Sequence, residues 1–332
     1  MIRFKDTDYL YASARVRALE KYFVTGDDLV RMTEAKTLAE AFKIINDKGI
    51  GVGFEPENCE EALTAALSGA YALAQELLKD EGAVKLFRLR YDGFNLKTLI
   101  KGKALGADVS GMLSPLGSVS PEVISAETAA MSFKSLEPRL AEAAAEAAAL
   151  LAKTSDPQLV DITLDKAVLE TQAALAGGYD CAYLNDIISM KIDLANIRAA
   201  VRIDRIGAPD PDALLRRVIA GGGSIPAEEL TAARGLDELT IAVAHSRWGD
   251  ALAPALRTLK GAKQLTSFEK SCEELEMEYI SRAKLKGFGA EPVFAYLLAF
   301  EAQIKNIRIV ISSKAAGVSP DVIRERLRST YV

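Results

Sequence analysis

Histidine and tryptophan each occur once and cysteine three times in this sequence of 332 residues. Cys59, Cys181 and Cys272 lie far apart and form no CxxC pair, so the chain offers neither a disulfide framework nor a cysteine-held zinc site, and a reducing cytoplasm fits it best. Basic excess is missing too. The formal charge is −5, and no stripe of lysine and arginine interleaved with aromatics occurs, which argues against a nucleic-acid partner. Long hydrophobic runs are lacking: none reaches the roughly 18 residues of a membrane-spanning helix. The longest candidate, Val293 to Phe300, reads as a buried helical segment, and residues 1 to 8 are polar where a signal peptide needs an apolar core. No GxxxxGK[ST] loop and no GxGxxG after a strand occurs, so nucleotide binding is unsupported.

What is there is helix. Hydrophobic residues make up 49% of the chain and charged residues 26%, enough apolar material for two or three cores. Tyr9 to Phe23 has amphipathic helical spacing, and Leu140 to Lys153 is an Ala- and Glu-rich stretch of very high helix propensity. Strand alternation of useful length is absent, so the expected fold is all-α.

A short polar pattern recurs three times: Asp92 with Asn95, Asp193 with Asn196, and Gln303 with Asn306, each followed by an aliphatic residue and a base. Three residues apart on a helix is one face, so each copy sets an amide beside a second polar group among apolar neighbours. The asparagines are 101 and then 110 residues apart. A second marker, an aliphatic residue before a helix cap, recurs in step at Val24-Thr25, Val119-Ser120-Pro121, Ile225-Pro226 and Val318-Ser319-Pro320. Ser120 and Ser319 are the best-formed caps, and Pro226 replaces the cap in its copy. A period this long describes a repeated subdomain rather than a short solenoid unit. The expected units are residues 1–106, 107–207 and 208–332, the last including a C-terminal helix from Ser319 that starts an incomplete fourth. Expected linkers run over 102–117 and 207–223, the second enclosing a short helix over 213–220. The chain also opens like the close of a unit, with Ser13-Ala14-Arg15 where Asn306-Ile307-Arg308 stands in the last copy.

Catalytic candidates are few. His245, in a stretch of helical character, has no identifiable nucleophile or orienting partner and reads as structural. Gly221-Gly222-Gly223-Ser224 before a helix start could cradle an anion through free N–H groups, but a flexible linker is the stronger reading. Asp27 and Asp28 stand where a helix N-terminus favours acids and lack the alternating pattern of a cation loop. No cofactor and no metal are expected. The three polar pairs are the sharpest features. Since an enzyme rarely needs three copies of a dyad, they read as structural, each bonding a neighbouring turn. Lys97, Arg198 and Arg308 are expected late in their helices, offsetting the C-terminal dipole.

At this point the residues carry a resemblance. The N-terminal Tyr9-Leu10-Tyr11-Ala12-Ser13-Ala14-Arg15, the Tyr91-Asp92-x-x-Asn95-Leu96-Lys97 helix and above all Asn306-Ile307-Arg308 through Val318-Ser319-Pro320-Asp321-Val322-Ile323-Arg324 resemble the C subunit of prokaryotic V-type (A/V-type) ATPases, the counterpart of the eukaryotic d subunit. Ser13 departs from the family, which tends to have Asn there. The resemblance implies three helical repeats arranged as a closed funnel on the cytoplasmic face of the membrane, peripheral and without bilayer insertion. It implies a central-stalk rotor subunit whose partners are the shaft subunits D and F and the membrane proteolipid ring, coupling rotation to H⁺ or Na⁺ transport, with no catalytic residues. Two rival classes are a helical-repeat scaffold that binds a partner helix, disfavoured by the long period, and an all-α enzyme, disfavoured by the missing motifs.

Overall fold

In the computed structural model, which describes residues 1–207, 210–261 and 264–332, the chain is helical almost throughout. The only strands among the described residues are the two-residue segments Ile2–Arg3 and Tyr179–Asp180, so the all-α expectation holds. The chain separates into two compact units, residues 3–81 with 272–332 and residues 1–2 with 82–271.

The first unit begins with α1 (Leu10–Leu19), flanked by 3-10 turns at Asp6–Tyr9 and Glu20–Tyr22, so the expected single helix from Tyr9 to Phe23 is three pieces. Next come α2 (Gly26–Glu34), α3 (Leu38–Asn46) and α4 (Cys59–Leu78). Thr25 opens α2 with a full capping box: its side chain accepts from the Asp28 N–H, and the Asp28 carboxylate accepts from the Thr25 N–H at 3.1 Å. Lys48 closes on the same carboxylate at 2.9 Å. Burial alone would push Asp28 up, but the bonds from Lys48 and from the Thr25 N–H and hydroxyl outweigh it and hold the carboxyl below its usual range.

The second unit is built from α5 (Glu81–Leu105), α6 (Pro121–Ala130), α7 (Pro138–Thr154), α8 (Pro157–Ala176), α9 (Ala182–Ile206), α10 (Pro211–Val218), α11 (Ala227–Ala232), α12 (Gly235–Ala244), α13 (Gly249–Arg257) and the start of α14 (Thr266–Ser281). Four of these begin with proline in the first turn, where the missing N–H costs nothing. Helices α7 and α8 form a hairpin whose turn is set by Ser155 in the left-handed region and by the Asp156 carboxylate capping the Gln158 N–H at 2.9 Å. Their alanine-rich face and α6 close on Leu89, Leu96, Leu99 and Ile100 of α5. Positions 208 and 209 of the expected 207–223 linker lie outside the described residues. Within the rest of it, α10 starts at Pro211, two residues before the expected piece, and the 102–117 linker begins late because α5 continues to Leu105.

Back in the first unit, α15 (Glu291–Ala315) forms the axis, and α16 (Pro320–Arg326) follows it. Val293 to Ala299 are all buried, as expected for a helix that is apolar all round. It packs against α1, α2, α3 and α4. Around its first half, Phe23, Tyr296, Phe300 and Tyr331 pack ring against ring with centres 5.3 to 5.9 Å apart, and Phe4 packs edge-on against Phe294 at 5.6 Å.

Candidate functional site

All six residues of the polar pairs are buried, on α5, α9 and α15, and each bonds the backbone of a loop. An asparagine carboxamide has the shape and polarity of a peptide group, so it can pair with both backbone groups of one residue. Asn95 donates to the Ser114 carbonyl at 2.9 Å and accepts the Ser114 N–H at 2.8 Å. Asn196 does the same with Ala220 at 2.8 and 2.9 Å, and Asn306 with Arg328 at 3.0 Å in both directions.

The residue one turn earlier holds the next stretch of loop. Asp92 Oδ1 accepts the N–H groups of Ser118 and Val119 at 2.9 and 3.1 Å, and Oδ2 accepts the Ser118 hydroxyl at 2.6 Å. Asp193 accepts the N–H and hydroxyl of Ser224 at 3.0 and 2.5 Å and the N–H of Ile225 at 3.1 Å; the indole N–H of Trp248 adds a fourth donor at 2.8 Å. In both loops a glycine precedes the serine, and a Cβ there would come within 2.5 Å of Asp92 Oδ1 at Gly117 and 2.1 Å of Asp193 Oδ1 at Gly223. Gly-Ser-aliphatic is therefore the loop that an aspartate can hold. Burial pushes the Asp92 carboxyl above its usual range, against the pull of the Ser118 hydroxyl and the Val119 and Ser118 N–H groups.

The third copy explains its own exception. Gln303 Oε1 accepts one N–H, that of Val24, at 2.9 Å. Phe23 stands where the other copies have serine, brings no hydroxyl, and spends its own N–H on the Glu20 carbonyl at 3.0 Å. A carboxylate here would be buried with a single donor, whereas a neutral amide needs only that one. The Gln303 Nε2 is left without a partner.

These bonds also fix which loops correspond. Val24, Val119 and Ile225 all give their N–H to the polar helix, but Val318 bonds the Ser313 carbonyl instead. Helix α16 lies between Asn306 and the residue it clasps, as α10 lies between Asn196 and Ala220, so Ser319-Pro320-Asp321 matches Asp210-Pro211-Asp212 and not Ser120-Pro121. The third loop is thus supplied by two stretches remote in sequence, Arg328 for Asn306 and Val24 for Gln303. Ser13 makes a comparable clasp, its hydroxyl donating to the Gly289 carbonyl at 3.0 Å and accepting the Gly289 N–H at 3.1 Å. A single hydroxyl does there what the carboxamide does elsewhere.

Other sequence readings need correction. Gly221 to Ser224 is neither a flexible linker nor a cradle for an outside anion: Gly221 donates to Glu170 at 3.2 Å and Ser224 to Asp193, so the chain's own carboxylates occupy these N–H groups. Lys97, Arg198 and Arg308 sit about two turns before the ends of their helices, beyond the last turn where the dipole acts. Lys97 pairs with Asp165 at 2.6 Å and Arg308 with Glu60 at 2.9 Å. Ser120 caps α6 through its side chain, while Ser319 occupies the cap position without a side-chain bond. His245 is exposed at the C-terminal end of α12. Among the described residues, no group of three His, Cys, Asp or Glu side chains could hold a metal, and no helix is long and apolar enough to cross a membrane.

Two regularities went unread in the sequence. Gly106, Gly207 and Gly317 each follow the clasping asparagine by eleven residues and each has a positive φ, between 59° and 69°. The caps carry a further pairing, because the aliphatic residue before the cap and the fifth residue after it are both buried: Val24 and Leu29, Val119 and Ile124, Ile225 and Leu230. That is the spacing of a hydrophobic staple.

Comparison with known proteins points the same way. The model of the family described as "ATP synthase (C/AC39) subunit" matches residues 12–326. The protein named as the C subunit of the A-type ATP synthase of Haloquadratum walsbyi is 29% identical over 95% of this chain and 96% of its own length. Its namesake from Haloferax volcanii is 28% identical over 96% of each chain, and that from Methanocaldococcus jannaschii is 23% identical over 97% of this chain and 86% of its own. The chain belongs to the ATP synthase (C/AC39) subunit family.

Proposed function

We propose that this chain is a non-catalytic part of the central rotor of an A/V-type ATP synthase, a socket that joins the shaft subunits D and F to the membrane ring of proteolipid subunits during H⁺ or Na⁺ transport. In this reading it is a peripheral subunit on the cytoplasmic face of the membrane, and it performs no bond-making step of its own. Its relatives are named as the C subunit of such an enzyme. The observation that carries the reading is the recurrence of one backbone clasp on α5, α9 and α15.

A part that transmits torque must keep its connecting loops from shearing against its helices. A loop held through its own backbone N–H and carbonyl groups resists that better than one held by surface side chains, because the bonds are short, buried and short of rotatable atoms. The polar pairs have a structural role in this reading, and the three related units of about 100 residues are the walls they brace. The experiment is co-isolation: affinity-tagged chain, recovered from detergent-solubilised membranes of cells that make the ATP synthase, brings with it D, F and the proteolipid ring. Recovery of the tagged chain alone from membranes that contain the assembled enzyme overturns the proposal.

A further inference from the structure

One face of the second unit carries a groove that the polar clasps do not use. Asp237, Ile241 and His245 follow one another at four-residue spacing along α12 and its C-terminal cap, with Ala244 beside them, so they form one outward stripe. The opposite side of the helix is spent on packing, with Leu239 and Val243 buried. Arg257, the last residue of α13, and Lys260 just beyond it face this stripe across an open groove of about 470 Å³. Ile241 is 58% exposed within it.

The charges in the groove do not balance. Lys260 is tied to Asp237 at 3.0 Å. The side chains of Arg257 and His245 make no hydrogen bond or ion pair with any described residue. A chain whose overall charge is −5 therefore offers a guanidinium and an imidazole with no partner among the described residues, beside an exposed isoleucine.

We infer that this groove docks an amphipathic helix of a partner protein, its apolar stripe on Ile241 and Ala244 and its acidic flank on Arg257. Charge complementarity selects this occupant. A free anion or an anionic bilayer would meet the Asp237 carboxylate in the same groove and gain nothing from Ile241. A helix can set one carboxylate against Arg257, leave the Asp237–Lys260 pair intact and cover the apolar stripe. None of these residues takes part in the polar clasps, and the peptide test below does not depend on the rotor reading.

The test uses the full chain and a fluorescein-labelled synthetic helix with a leucine stripe and a glutamate flank, followed by fluorescence anisotropy. A control peptide carries lysine in place of each glutamate. The acidic peptide is expected to bind at least about tenfold more tightly than the control, and less tightly as salt is raised. Arg257→Glu should weaken the acidic peptide about tenfold and strengthen the lysine peptide, while Ile241→Asp should weaken the acidic peptide by a similar factor. Both positions are exposed, so the variants keep the fold. Equal binding of the two peptides, or an acidic-peptide affinity unchanged in Arg257→Glu, overturns the inference. So does displacement of the acidic peptide by inorganic phosphate, by phosphatidylglycerol vesicles or by an excess of unlabelled chain.

Discussion

At the scale of single residues the polar clasps make unequal demands. Asn196→Ala strands both backbone groups of Ala220, which are buried, and should cost about 1 to 3 kcal/mol in a urea unfolding experiment. An unchanged midpoint would contradict the clasp. Gln303→Glu tests why the third copy is neutral, since only the Val24 N–H is there to receive a charge. The new carboxyl should have a folded-state pKa above its unfolded one, so the variant loses stability as pH rises through the folded value and recovers it on acidification. Asp92 and Asp28 pull in opposite directions. Burial raises Asp92, so its contribution to stability grows as pH falls through its folded pKa towards the ordinary carboxylate value. Asp28, held low by Lys48 and Thr25 against the effect of burial, contributes stability above the ordinary value and loses it as pH falls through its lowered pKa. Unfolding free energies of the wild type and Asp92→Asn, measured between about pH 7 and pH 4, should therefore shift in favour of the wild type on acidification. A constant difference would contradict the raised pKa.

At the scale of elements, the loops are where the fold is most exacting. Gly207 ends α9 in the left-handed region, and Gly207→Ala should cost about 1 kcal/mol through the backbone alone. Gly223→Ala should cost more, about 2 kcal/mol or above, because the new Cβ meets the Asp193 carboxylate and not open space. Chemical denaturation of the two variants side by side checks the order; a milder effect at Gly223 would mean that the loop yields freely. The helices themselves were legible from the sequence, since apolar spacing and caps such as Thr25 and Ser120 are local signals. The clasps were legible as buried polar pairs, but their partners were not, for Ser114, Ala220 and Arg328 are joined through main chain and carry no side-chain signature. The marker at Val318 was matched to the wrong helix for the same reason. Its cap resembles Ser120-Pro121 in letters, and only the Arg328 clasp aligns it with α10.

At the scale of the whole molecule, family membership rests on a match over residues 12–326, while the period of the polar pairs was visible in the sequence before any bond was. The Gly-Ser-aliphatic loops after α5 and α9, and the Phe23-Val24 that answers Gln303, tie the departure of the third pair to a packing cause and not to chemistry. In the proposed rotor role the chain should thus tolerate loss of one clasp as long as it folds. Asn196→Ala, although less stable, should still assemble. The most direct measurement is quantitative mass spectrometry of the complex recovered on tagged wild-type chain from solubilised membranes. The shaft proteins D and F and the proteolipid should appear in fixed proportion to the chain, in the wild type and in folded Asn196→Ala alike. A chain that comes off those membranes without shaft or ring proteins would contradict the rotor assignment.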